Sequence, residues 1–105
     1  MGYLVSYRHA TYLQNIPDGD LLGVTVGNTE LVLVRQGQEV RAYQRRCMHQ
    51  GADLADGIVS RGFLVCALHG WRFRLSDGAL DMQPESCLRT YAVRVDGDDV
   101  LVDVG

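Results

Sequence analysis

The feature that most constrains this chain is how often its pattern stops. Apolar residues alternate with polar ones over short stretches, and each stretch soon ends at Gly, Asp, Asn or Pro. Alternation with a period of two is the mark of half-buried strands, and no run is long enough for a helix with a continuous apolar stripe. The expected fold class is therefore all-β and antiparallel. Tyr3, Val5 and Tyr7 share one strand face, Val24 and Val26 belong to the next segment, and Leu31 to Val34 is a wholly apolar run suited to a central strand. Val40 to Tyr43 makes a fourth. Turns fall at Pro17-Asp18-Gly19-Asp20, Gly27-Asn28, Gln36-Gly37-Gln38, Ser76-Asp77-Gly78 and Asp96-Gly97-Asp98, where Gly and Asn supply the positive φ of tight hairpins. The clearest hairpin joins Tyr91, Val93 and Val95 to Val100, Val102 and Val104. Only Thr11 to Ile16 could hold a helical turn, and Pro17 ends it.

With 105 residues the chain is expected to form one domain, residues 1–105. A domain of this size buries only roughly 60–65% of its unfolded surface, so a bound group that adds stability is welcome. There are ten Arg and no Lys, which excludes P-loop, Schiff-base and kinase chemistries that need an ε-amine. The net charge of −3 argues against nucleic acid as a partner. That total hides an asymmetry: residues 41–74 carry six Arg against Asp53 and Asp56, a net of +4, while the remainder carries −7. No apolar stretch approaches the roughly 18 residues of a membrane span, and the first residues lack a signal-peptide pattern, so a cytoplasmic location is expected. Met1-Gly2 with Ser6 matches a myristoylation pattern, but the strand alternation from Tyr3 argues against it. Three Cys, an odd number, do not make a disulfide framework in a reducing compartment. Metal binding is the better question.

Two segments answer it. Cys47-Met48-His49-Gln50-Gly51 reads C-x-H, and Cys66-Ala67-Leu68-His69-Gly70-Trp71 reads C-x2-H. Each follows a strand, at Arg41 to Gln44 and at Phe63 to Val65, so two loops at strand ends converge with two thiolates and two imidazoles. Gly51 and Gly70 allow the backbone to wrap close beside each His and turn N–H groups toward a buried anion. Two species fit this donor set: a structural zinc, or a [2Fe–2S] cluster in which two His replace two Cys on one iron. Zinc sites usually group Cys with Cys and His with His on a helix, whereas here each loop gives one of each. That alternation suits two metals, each touched by both loops.

On these residues the segment from Arg46 to Leu75 resembles a Rieske domain, and the whole chain is similar to the stand-alone Rieske ferredoxins. Cys47-x-His49 with Gly51-Ala52-Asp53-Leu54, and Cys66-x-x-His69-Gly70-Trp71-Arg72-Phe73, match the two cluster loops of that family. The resemblance implies an antiparallel β-sandwich base with a small cluster-binding subdomain, about residues 45–75. It implies Cys47, His49, Cys66 and His69 as ligands of one [2Fe–2S] cluster per chain, with Gly51, Gly70, Trp71 and Pro84 around them. Pro84, Leu88, Tyr91 and Val93 match the family's proline loop, which shields the cluster. Trp71 is expected as a lid beside it. Gln83 to Val95 resembles the ferredoxins of toluene monooxygenase systems, and Cys47 to Asp56 those associated with dioxygenases.

Departures from the family carry information. Met48 stands where Pro is frequent. Ala52 and Leu68 occupy the positions of the additional disulfide-forming Cys of the respiratory type, and Trp71 and Phe73 those of its cluster-facing Ser and Tyr. Fewer hydrogen bonds to the cluster sulfurs stabilise the reduced state less, so the potential is expected at the low end of the Rieske range, roughly −150 mV. Arg45, Arg46, Arg72 and Arg74 are candidates to favour the reduced state or to steer a partner. Cys87 is expected to be a buried core thiol and His9 a solvated surface residue.

The resemblance implies a monomeric electron carrier that takes one electron from a flavin-dependent NAD(P)H reductase. It would pass that electron to a terminal oxygenase, either an aromatic ring-hydroxylating dioxygenase or a di-iron monooxygenase. It would not itself be an enzyme, since only His9 remains beyond the ligands for a further iron site. The alternatives are a non-catalytic small subunit of a reductase such as nitrite reductase, and a zinc-stabilised interaction domain.

Overall fold

Four consecutive apolar residues in a strand require cover on both faces, and the computed structural model provides it. It describes residues 6–48 and 50–105; the sequence expectations for Tyr3, Val5 and His49 lie outside the described residues. The described residues form eleven strands in the order β1 (Tyr7–Tyr12), β2 (Leu21–Val26), β3 (Thr29–Gln36), β4 (Glu39–Gln44), β5 (Ile58–Ser60), β6 (Phe63–Val65), β7 (Arg72–Arg74), β8 (Ala79–Leu80), β9 (Gln83–Cys87), β10 (Thr90–Asp96) and β11 (Asp99–Asp103). Short 3-10 turns occupy Leu13–Asn15 and Leu54–Asp56. All named pairings are antiparallel. The all-β expectation holds.

Six strands form one sheet in the order β1-β11-β10-β4-β3-β2, and five form a second in the order β5-β6-β7-β8-β9. The first sheet folds over on itself. Leu31 and Leu33 of β3 share a buried cluster with Val40 and Ala42 of β4, Val100 and Val102 of β11, Leu13 of the first 3-10 turn and Ile16 just after it. Val32 and Val34, on the opposite face of β3, join Tyr43, Leu54, Leu64, Phe73 and Leu80 in a second cluster that seats the smaller sheet on the larger. Leu31, Val32 and Leu33 are fully buried and Val34 nearly so.

The Thr11 to Ile16 segment is divided: Thr11 and Tyr12 complete β1, and only Leu13–Asn15 turns, closed by the Ile16 N–H donating to the Leu13 carbonyl at 3.0 Å. The second sheet leaves less trace in the sequence. Of its strands, only Phe63–Val65 stands out in the sequence, as a wholly apolar run just before Cys66; the others, two to five residues long, carry too little alternation to mark them. Among the described residues, no helix is long and apolar enough to cross a membrane.

Tyr43 ties the two sheets together through one polar contact. Its hydroxyl donates to the Leu75 carbonyl at 2.5 Å, just beyond the end of β7. Burial pushes its pKa up to about 12, against a smaller opposing effect of the Arg41 guanidinium. Replacing Tyr43 by Phe is expected to cost about 1–2 kcal/mol at neutral pH. The raised pKa sets a sign: its contribution is complete below pH 10 and is lost as pH rises through about 12. Urea unfolding between pH 9 and 12 should therefore show wild type losing stability faster than Y43F, and parallel slopes would refute the burial-raised pKa.

Candidate metal centre

Each cysteine segment follows a strand, and the backbone around both is the same. The Cys47 N–H donates to the Ala52 carbonyl at 2.8 Å, and the Gly51 N–H returns to the Cys47 carbonyl at 2.8 Å. In the other loop the Cys66 N–H donates to the Trp71 carbonyl at 2.8 Å, and the Gly70 N–H to the Cys66 carbonyl at 2.9 Å. Gly51 and Gly70 both have φ of +69°. The spacings C-x-H and C-x2-H conceal this likeness, because the shared element is Gly four residues after Cys. Beyond its chain neighbours, a Cβ at either glycine would meet no atom of the described residues within 4 Å, so the backbone angle, rather than close packing, demands glycine.

Cys47 and Cys66 are buried, at 2% and 1% exposure, in the same apolar cluster as Leu54, Leu64 and Phe73. His69 is exposed at the end of its loop. Its Nε2 lies 3.4 Å from Oε1 of Gln50, a long contact that spans the two loops. Trp71 is half-buried and packs against the cluster containing both thiols, so it is part of that apolar wall. Pro84 is exposed on β9, an edge strand, rather than in a loop. The edge position explains its tolerance, since proline has no N–H to give to a further strand. Exposed Met48 and Leu68 flank the loops at 40% and 49% exposure.

The arginine-rich run is not a bare positive face. Arg45 pairs with Asp53, Arg46 with Glu30, Arg72 with Asp81 and Arg74 with Asp77, at 2.7 to 3.2 Å. Arg41 pairs with Glu39 at 3.3 Å. Four of these acids lie outside residues 41–74, so summing charge along the sequence missed partners that the sheets bring close. The bond from Arg45, aided by the Ala55 N–H, holds the Asp53 carboxyl below its ordinary pKa. The Asp77 carboxyl is lowered by the Ala79 N–H first and Arg74 second.

Two further expectations are resolved. Cys87 is exposed, not a core thiol, because β9 is at the edge of the small sheet and Cys87 lies on its open side. Its Sγ lies 3.6 Å from the Pro84 carbonyl oxygen. His9 is on the surface as expected, but it contacts Asp99 at 3.1 Å and stacks edgewise on Tyr12. Gly57 had no signal in the sequence. A Cβ there would overlap the Val65 carbonyl oxygen, one residue before Cys66, and only the fold reveals that approach.

The donor chemistry fits an iron–sulfur group: two thiols in an apolar cluster between the sheets, with imidazole at the solvent end. This fold and donor set define a small iron–sulfur protein. The family model for the Rieske [2Fe-2S] domain matches residues 7–92. The ferredoxin component of a naphthalene 1,2-dioxygenase system from Pseudomonas aeruginosa is 36% identical over 96 residues, covering 90% of this chain and 92% of the relative. The ferredoxin component of an alkene monooxygenase system from Xanthobacter autotrophicus is 28% identical over 99 residues, covering 93% and 81%. Among solved structures, the ferredoxin of carbazole 1,9a-dioxygenase from Nocardioides aromaticivorans superimposes with a TM-score of 0.85 at 29% identity, covering 93% and 97%. The chain belongs to the Rieske [2Fe–2S] domain family, and a [2Fe–2S] cluster is its cofactor.

The three glycines near the loops should separate in mutagenesis. Gly51→Ala and Gly70→Ala each force a positive φ on alanine and should cost about 1–2 kcal/mol with the cluster retained. Gly57→Ala must push β5 from β6 beneath Cys66 and should cost about 3 kcal/mol or more, with loss of bound iron. Urea unfolding and iron content measure both, and equal effects at all three positions would contradict the contact at Gly57.

Proposed function

We propose that Cys47 and Cys66 supply thiolates, and His49 and His69 imidazoles, to the [2Fe–2S] cluster, and that the chain is a one-electron carrier. It would run between a flavin-dependent NAD(P)H reductase and a terminal oxygenase. The observation that carries the ligand reading is the pair of like-folded Cys-to-Gly loops, each also contributing one His. Bound there, the cluster accepts and returns one electron per cycle.

The chain's own residues account for the rest of the work. Burial of Cys47 and Cys66 keeps water from the sulfur donors, and Leu54, Leu64 and Phe73 form the dry wall behind them. His69 faces solvent, which favours it as the point nearest an incoming partner. Met48 and Leu68 offer apolar contact beside it. The flanking arginines are already matched by carboxylates, so the partner meets a surface of small net charge there. Trp71 and Phe73 bring no hydroxyl near the loops, which supports a potential of roughly −150 mV.

Relatives named as ferredoxin components of naphthalene dioxygenase and alkene monooxygenase systems support an electron-transfer role in an oxygenase system of one of those types. The small size suits a cytoplasmic, monomeric carrier that visits two partners in turn. Residues 45–75 would then form the cluster-binding subdomain of a single domain spanning 1–105. Gly51 and Gly70 shape its loops, Trp71 covers one side, and Pro84 lies on the strand nearby in sequence.

Dithionite-reduced protein should give a rhombic [2Fe–2S] EPR signal with two irons per chain, and a redox titration should place the midpoint near −150 mV. Cys66→Ser and His69→Ala should each abolish the signal. A variant of either kind that retains it would refute the ligand assignment, and one zinc per chain without a signal would refute the carrier role.

A further inference from the structure

The two loops share a backbone form but not a foundation. The loop from Cys66 to Gly70 stands on a hairpin ladder, with Val65 opposite Arg72, Leu64 opposite Phe73 and Phe63 opposite Arg74. Beneath the loop from Cys47 to Gly51 the described residues form a single isolated bridge, Arg46 opposite Asp53, after which the chain turns away into Leu54–Asp56. Main-chain bonds on either side of that bridge run from Cys47 to Ala52 and from Leu54 to Arg45, both at 2.8 Å. A ladder this short does little to fix register or angle by itself.

Side chains take the place of the absent ladder. Arg45 donates twice to Asp53, Nε to Oδ1 at 2.9 Å and Nη2 to Oδ2 at 3.0 Å, joining entry and exit of the loop. Asp53 Oδ1 also accepts the Ala55 N–H at 2.9 Å, which caps the 3-10 turn that follows. Both partners are largely shielded, at 24% and 19% side-chain exposure, unlike the pairs made by Arg46 and Arg72. The guanidinium lies against Gly23 of β2, the edge strand of the large sheet. A Cβ at Gly23 would stand 2.8 Å from Arg45 Cζ and 2.8 Å from Ala55 Cβ. Base sheet, loop entry and loop exit therefore meet at one point, two residues before Cys47.

We propose that Arg45 and Asp53, seated on Gly23, are positioning residues that set the first loop's cysteine and histidine against those of the second loop. They thereby govern how firmly and in what geometry the cluster is held. The inference rests on the ligand assignment proposed above. The planar, two-point pairing is the essential property: lysine keeps the charge but cannot make two parallel bonds to one carboxylate. Charge near the cluster and position of the loop can thus be separated.

The test uses cluster-loaded wild type, R45K, D53N, G23A and, for comparison, R46K, whose pair with Glu30 is exposed. Iron loss to a chelator, the g values and line widths of the reduced EPR spectrum, and the midpoint potential are measured on each, with far-UV circular dichroism as a check of fold. Expected are iron loss about 10-fold faster and broadened EPR lines in R45K, D53N and G23A, with R46K within about twofold of wild type. Because R45K preserves charge, a change there reports position. A folded R45K matching wild type in all three measurements overturns the proposal while leaving the ligands intact, as does an R46K that changes as much as R45K. A wild type without a [2Fe–2S] spectrum overturns the ligand assignment and the proposal together.

Discussion

The burial of β3 on both faces is the constraint on which the rest of the molecule depends. Leu31 and Leu33 close the large sheet on itself, and Val32 and Val34 give the small sheet a surface to sit on. An edge strand or a strand with one wet face could serve only one of these purposes. With both served by alternate residues of one strand, the two cores are fixed relative to each other by the stiffness of a single backbone. Cys47 and Cys66 belong to the second core, so their separation follows from the same packing that holds the sheets together.

That dependence explains which features were legible in the sequence. The Leu31 to Val34 run, the Tyr91 to Val104 hairpin and the glycine turns declare themselves because each is a pattern carried by residues close together in the chain. The two cysteine–histidine segments were legible for the same reason: ligand chemistry requires particular residues at close spacing. Strands β5 and β7 to β9 were not, since segments of two to five residues carry too little alternation to distinguish strand from loop. The net charge of residues 41–74 is legible in the sequence, but its neutralisation is not, for a related reason. Glu30, Asp77 and Asp81 are outside the arginine-rich run in sequence but within reach of it in the folded sheets. The buried assignment of Cys87 followed the usual behaviour of free thiols and failed because strand β9 has an open side. Gly57 and Gly23 were invisible because their importance lies in what approaches them from elsewhere in the chain.

The paired loops illustrate how unlike sequence reaches like geometry. Their histidines occupy different positions relative to Cys, yet both loops close with the same two main-chain bonds and the same glycine angle. Main-chain closure uses only backbone groups and one residue free to adopt positive φ, so the remaining positions can vary. Met48 and Leu68 are examples: both are exposed and apolar, and neither is needed for closure.

Support beneath the loops is where the two halves differ, and the difference follows from topology. The second loop connects adjacent strands of one sheet, so continuing those strands gives it a ladder without further cost. The first leaves the large sheet after β4 and must travel to β5 in the small one, so its two ends diverge directly below the cysteine. A ladder cannot persist across diverging chains, and a compact ion pair can span them at one point. Backbone pairing in one loop and side-chain pairing in the other thus answer the same need. A carrier whose oxidised and reduced forms must share one geometry requires both loops to be held. In this chain the crossing from β4 to β5 between the sheets decides that one of them is held by a two-point side-chain pair.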